Sequence, residues 1–197
     1  MIQAIICRCA LLAILATIAL FALMIYLISR VVILTMNVSD AGVKFIRRWE
    51  GSRSAAYHDS AGLLTVGVGH LLTRDELSSG KVEIGAEYVK WRDGLSDEQI
   101  DLLLRQDLLR PVTAVNGARL HLRQQEFDAL VSFVFNVGVR AFNRSTLLKR
   151  LHDGNYADAP AQLLRWVYAG GKRIQGLVNR RQAEANLWRY GRYEDAA

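Results

Sequence analysis

Residues 9–29 carry no charge over 21 consecutive positions, and this run divides the chain before any fold can be assigned. A stretch that long and that rich in Leu and Ile is enough to cross the hydrocarbon core of a bilayer as a helix. Arg30 interrupts it and residues 31–35 are apolar again. From Met36 onward the sequence has the polar–apolar mixture of one ordinary domain, or of two small lobes. The expectation is a hydrophobic segment over 1–35, standing outside the fold, followed by a domain over 36–197.

The apolar run is too long for a plain signal peptide, and no convincing small-x-small cleavage site follows it. A non-cleaved anchor fits better. Its orientation is open: Arg8 favours an inside N-terminus, whereas Arg30, Lys44, Arg47 and Arg48 pull the other way. Met36 directly precedes the first globular helix, so a start at Met36, with 1–35 an upstream extension, stands beside the anchor reading.

The formal net charge is +6. Arg8 and Arg30 precede Met36, where there are no acidic residues, which leaves 23 basic against 19 acidic side chains in the body. That excess suits solubility or attraction to an anionic polymer or surface, and does not choose between them. No basic run of the length that tracks nucleic acid is present, so nucleic acid is not expected as a partner. Both cysteines, Cys7 and Cys9, lie ahead of Met36, so the body has no disulfide, no cysteine-ligated metal and no thiol nucleophile.

Ser39 reads as the N-cap of a helix through Glu50, closed by Gly51, with Val43, Ile46 and Trp49 on its buried side. Residues 55–72 read as β, with Leu64, Val66 and Val68 alternating after an Asp-Ser-Ala-Gly turn at 59–62. Residues 73–94 read as loop and irregular structure. Ser96-Asp97-Glu98-Gln99 is a capping box opening a long helix that Pro111 ends or kinks. Beyond Arg119 the chain reads helical, with a flexible stretch at 169–171. The fold class is therefore α+β and mainly helical: a small β-containing lobe, a linking helix and a helical lobe, with a ligand cleft between lobes.

Glu50, Asp59 and Thr65 carry the chemistry. A Glu and an Asp nine positions apart mean little alone, since most such pairs are solvated. Here Glu50 ends a helix beside Trp49, a semi-apolar place poorly suited to a structural anion and well suited to a proton donor. Asp59 lies in a turn whose N–H groups and water keep it ionised. Thr65, on the adjoining strand, offers a hydroxyl to hold a water. One acid, one carboxylate and an oriented water are the parts of an inverting glycosidase. His70 has no second histidine at ligand spacing, so a structural bond to a carboxyl or carbonyl outweighs a metal role. Gly67-x-Gly69 is no nucleotide fingerprint, because no strand-to-helix turn follows it. No metal or cofactor is expected. Arg180 and Arg181 form a solvated face, or one of them reaches the cleft and pairs with Glu50.

Glu50-Gly51, Tyr57, Asp59, Gly62 and Thr65-Val66-Gly67-Val68-Gly69-His70 resemble the active-site segment of the bacteriophage-type lysozymes, glycoside hydrolase family 24. The likeness continues through Phe133-Val134-Phe135-Asn136-Val137-Gly138, Ser145-Thr146-Leu147-Leu148, Arg165-Trp166, Tyr168-Ala169-Gly170-Gly171 and Gly176-Leu177 with Arg180-Arg181. It covers about residues 38–190, in order. The resemblance implies a two-lobed, lysozyme-like fold and a muramidase that cleaves the β-1,4 bond between N-acetylmuramic acid and N-acetylglucosamine of peptidoglycan. It implies Glu50 as general acid, Asp59 as stabiliser or base and Thr65 as water holder. Leu71, Phe135, Ser145 and Gln162 match sugar-contacting positions, and the Arg180 region matches the arginine that pairs with the catalytic Glu. Residues 82–94 look like an insertion relative to compact members. The implied partners are peptidoglycan glycan strands, with the enzyme a monomer serving phage host-cell lysis. Residues 10–34 would contact the inner membrane if genuine, with the catalytic domain periplasmic. With a start at Met36, the protein would wait in the host cytoplasm for holin-dependent release. Some members carry a signal-arrest-release segment; residues 10–29 match one in place and length, but not in their lack of Gly and wealth of Leu and Ile. A wall-binding scaffold and a cationic membrane-disrupting protein are the competing classes.

Overall fold

The computed structural model describes residues 20–21, 35–59 and 62–193. The chain divides between Thr35 and Met36 into two units. The expected hydrophobic segment lies outside the described residues, apart from Leu20 and Phe21, which are helical. Among the described residues no helix is long and apolar enough to cross a membrane.

The body begins with α1 (Asp40–Glu50). Ser39 caps it by accepting the Gly42 N–H at 3.0 Å, as its side chain and extended backbone permit. Val43, Phe45 and Ile46 are buried along it. Phe45 replaces Trp49 on the deep side; Trp49 is half-buried and meets Phe45 edge-on at 6.4 Å. Three strands follow, β1 (Arg53–His58), β2 (Leu64–Gly67) and β3 (His70–Leu71), in an antiparallel sheet of that order. Tyr57 lies opposite Thr65, and Thr65 opposite Leu71.

Residues 73–94, expected as loop, are instead built. They form α2 (Arg74–Ser79), a β4 (Lys81–Ile84) and β5 (Glu87–Lys90) hairpin, and a 3-10 turn over Trp91–Asp93. Thr73 and Glu76 cap α2 reciprocally, a signal present in the sequence. Val82 and Ile84 point into the core while Lys81 and Glu83 are exposed, a period of two that is short but real. The Trp91 indole N–H donates to the Glu76 carbonyl at 2.9 Å and ties the hairpin to α2.

The capping box at Ser96 opens α3 (Asp97–Asp107), and α4 (Leu109–Gly117) follows after a break at Leu108. Pro111 falls in the first turn of α4, where a missing N–H costs nothing, and its ring would clash with a continuous helix at Asp107. Then come α5 (Gln124–Val137), α6 (Val139–Asn143), α7 (Thr146–His152) and α8 (Ala159–Leu163). The stretch at 169–171, read as flexible, is the turn of a small hairpin, β6 (Tyr168–Ala169) with β7 (Lys172–Arg173). Gly170 and Gly171 both take positive φ, 55° and 75°, which a two-residue hairpin turn demands. The last helix is α9 (Gln175–Tyr190).

α5 is buried along most of its length and packs against α1, α4 and α9. α3 links the halves, contacting β2, β3 and β4 on one side and α1 and α4 on the other. One core runs through both halves, from Val66, Val68 and Val82 to Leu130, Phe133 and Trp188.

Candidate active site

The two ends of α1 are both anchored, and this places Glu50. At the N-terminal end Asp128 of α5, fully buried, accepts the Ser39 N–H at 3.1 Å, the Ser39 hydroxyl at 2.5 Å and the Tyr193 hydroxyl at 2.7 Å. A Cβ on Gly42 would lie 2.6–2.9 Å from that carboxyl, so this close approach requires glycine. Burial, together with donation to Asp128, pushes the Tyr193 phenol up to about 12. Nearer the C-terminal end, Arg47 pairs with Asp97 and Asp101 of α3.

Glu50, in the last turn of α1, receives Nη1 of Arg180 on its Oε1 at 2.5 Å. Its setting is therefore not the semi-apolar one expected from Trp49, whose indole nitrogen has no partner. Arg180 is almost fully buried and is held from three sides. Nη2 donates to the Ser132 carbonyl at 3.2 Å, and Nε to Glu184 at 3.3 Å. Ser132 donates its hydroxyl to the same Glu184 oxygen at 2.7 Å. Arg181 lies on the other side of Glu184, with Nη2 at 3.1 Å from Oε1 and Nε at 3.0 Å from Oε2. It also donates to Asn136 at 3.0 Å and sits 5.1 Å from the Phe133 ring centroid. Its Nη1 finds no partner, and Nε and Oε2 are too poorly aligned for a hydrogen bond. Burial pushes the Arg181 guanidinium down and the Glu184 carboxyl up, and their mutual attraction opposes both shifts.

Asp59 and Thr65 meet at Leu63. Asp59 Oδ1 accepts the Leu63 N–H at 2.8 Å, and the Asp59 N–H donates to the Leu63 carbonyl at 2.9 Å. The Thr65 hydroxyl donates to that same carbonyl at 3.0 Å, and the side chain is 2% exposed. Its proton is therefore engaged, and its oxygen keeps lone pairs that can accept from water. The turn fixes both groups relative to each other.

His70 bonds two carboxylates. Nδ1 lies 2.9 Å from Asp107 of α3 and Nε2 lies 3.2 Å from Glu76 of α2. Burial pushes the imidazole down, but the bonds and charges of Asp107 and Glu76 raise it overall above its ordinary 6.5. Burial likewise opposes ionisation of Glu76, yet the Thr73 N–H and hydroxyl and the His70 charge bring it below 4.5. A raised histidine stabilises the fold fully below its unfolded value and loses that contribution as pH rises through the folded value. A lowered carboxylate contributes above its unfolded value and loses it as pH falls. The cluster is thus strongest between the two ordinary values, 4.5 and 6.5. Urea titrations should show His70→Gln losing about 1.5–3 kcal/mol in that window and less above it. A loss independent of pH would mean that packing, not charge, is what the substitution removes.

The other sequence candidates are scattered. Leu71 is half-exposed on β3 beside Thr65, where a ligand can reach it. Phe135 is half-buried on α5. Ser145 is 7% exposed and caps α7, accepting the Leu148 N–H at 3.0 Å. Gln162 accepts from Arg165 at 3.1 Å. Ser132, Asp128 and Glu184 have no place in the sequence reading, and Asn136 enters it only within the Phe133–Gly138 likeness. The available signal for Glu184 was its company: Ala183, Ala185, Leu187 and Trp188 mark that stretch of α9 as buried. Among the described residues no group of His, Cys, Asp and Glu could hold a metal.

Residues 47–184 match the family model described as phage lysozyme. An endolysin of Acyrthosiphon pisum secondary endosymbiont phage 1 is 37% identical over 158 residues, covering 78% of this chain and 98% of the relative. A SAR-endolysin of Escherichia phage Mu is 38% identical, covering 67% of this chain and 69% of its own. The fold is similar to the crystal structure of a P22 lysozyme mutant, with TM-score 0.66, 35% identity, and coverage of 78% and 98% of the two chains.

Proposed function

This chain belongs to the phage lysozyme family, and we propose from that premise how its residues divide the work of an endolysin. The enzyme is a glycoside hydrolase of peptidoglycan, and the bond cut is the β-1,4 link between N-acetylmuramic acid and N-acetylglucosamine, in the service of host-cell lysis. Glu50 gives its proton to the glycosidic oxygen as the carbon–oxygen bond breaks. Arg180 occupies Oε1, so the proton travels on Oε2. Asp59, held in its turn by the Leu63 N–H, stabilises the positive charge that develops on the sugar and takes a proton from the attacking water. Thr65 holds that water through its free lone pairs. Leu71, Phe135, Ser145 and Gln162 line the path of the glycan.

The observation that carries this reading is the Glu50–Arg180 pair: a partly exposed carboxylate at a helix end, fixed at one oxygen by a guanidinium that Ser132 and Glu184 hold rigid. A site so fixed is pre-organised rather than merely charged. If water attacks from the Asp59 side, the product's anomeric configuration is inverted, and the two carboxyls stand about 6.5–9.5 Å apart. Proton NMR of fresh product, read before mutarotation, checks this; a retained anomer would replace the held water with a covalent intermediate.

A second proposal concerns placement. The uncharged run at 9–29 and the Mu relative's designation as a SAR-endolysin support a protein tethered to the inner membrane through residues 10–34, its body in the periplasm. Fractionation before and after collapse of the membrane potential tests it. Movement into the periplasmic fraction supports a releasable segment, retention a permanent anchor. A mature chain beginning at residue 36 or 37 would favour the Met36 start and cytoplasmic storage.

A further inference from the structure

We propose that Glu184 is a positioning residue for Glu50: a buried counter-charge that, by engaging Arg180 and Arg181, lets Glu50 hold the proton it must donate. This rests on Glu50 being the acid. Four charged groups form one cluster, two guanidinium groups and two carboxylates, and three of the four are 3% exposed or less. Arg180 touches both carboxylates, 2.5 Å from Glu50 and 3.3 Å from Glu184. Arg181 is also close enough for its charge to interact with that of Glu50. Two cations facing Glu50 alone would hold it as the anion, which cannot donate. Glu184 restores balance from the side away from solvent.

Among the described residues, Glu184 is the fully buried carboxylate that bonds the guanidinium held on Glu50. On α1 itself, Arg47 is committed to Asp97 and Asp101 of α3, and Arg48 to the Tyr193 carbonyl. On α5, Ser132 and Asn136 are neutral, and Asp128 is committed to Ser39, Gln124 and Tyr193. Asp59 lies in the β1–β2 turn and bonds Leu63. Glu184 is fully buried, and Ser132, Arg180 and Arg181 all bond to it.

The test is the pH profile of kcat/KM for wall hydrolysis by the full-length protein, whose alkaline limb reports loss of the acid's proton. Glu184→Gln keeps the shape and removes one negative charge, so the limb should move about one pH unit toward acid. Arg181→Met removes one positive charge, and the limb should move the opposite way. A purely structural role lowers the amplitude and leaves both limbs in place, so an unmoved limb in either folded variant overturns the proposal. Glu50→Gln separates the two readings: if it keeps turnover, the acid assignment falls; if it is inactive while the limb stays put, only the role of Glu184 falls. The unmodified protein gives a measurement that needs no variant. Carbon-13 NMR of the Glu184 carboxyl must report an ionised group at assay pH, because a neutral Glu184 supplies no counter-charge and would end the proposal.

Discussion

Glu50→Gln should lose at least about a hundredfold in peptidoglycan hydrolysis while its melting temperature stays close to that of the parent. The amide fills the same volume, and its carbonyl oxygen can still accept from Arg180, so the guanidinium keeps a partner at the position it now holds. What disappears is an acidic proton at the leaving oxygen. Glu50 is about a quarter exposed, so neutralising it strands no buried charge on its own side. Initial rates of turbidity loss, measured beside a thermal melt, separate chemistry from folding. A well-folded variant with more than a few per cent of parental rate removes Glu50 from the acid role. It would also revive the membrane-disrupting class, which needs no proton donor.

Glu184→Ala should lower stability by about 3–5 kcal/mol, because it leaves Arg181 buried without its carboxylate and Arg180 with Glu50 alone. It also strips Ser132 of its acceptor and opens a void beneath α5. Arg150 with Asp158 is the useful contrast. That pair is half-exposed and 3.9 Å apart, and Asp158→Ala should change stability by no more than about 0.5 kcal/mol. Urea unfolding of the two variants in parallel makes the comparison. A loss below about 1 kcal/mol for Glu184→Ala would mean that the cluster is hydrated or already neutral in the folded protein.

The parts of this fold that were legible in the sequence are those governed by local rules. Ser39 and Ser96 cap α1 and α3 because a hydroxyl at those positions satisfies an orphan N–H, and Gly51 and Gly138 close α1 and α5. The β-hairpin bearing Asp59 and Thr65 follows from alternation and a turn. The parts that were not legible depend on length or on distant partners. Residues 73–94 hold elements of three to six residues, too short to set a period, and only the Thr73–Glu76 box betrays one of them. Pro111 is expected to end or kink its helix, and the chain does break at Leu108; that a new helix then starts at Leu109, with Pro111 in its first turn, is not a local signal. Arg180 and Arg181 are adjacent and alike; nothing short of the packing of α9 on α5 decides that Arg180 reaches Glu50. Asp128 binds Ser39, 89 residues away, and Glu184 binds Ser132, 52 residues away, pairings that no local pattern announces.

Asn116 gives the body a strain relief. The backbone of Met36 both donates to its side chain, at 2.9 Å, and accepts from it, at 2.8 Å. Three residues later Ser39 is clamped twice on Asp128. A pull arriving along the chain at Met36 is thus divided between α4 and α5 before it enters α1. Like a cord knotted inside its housing, the polypeptide passes tension to the frame, and the carboxylate eleven residues further along, at Glu50, is spared the load.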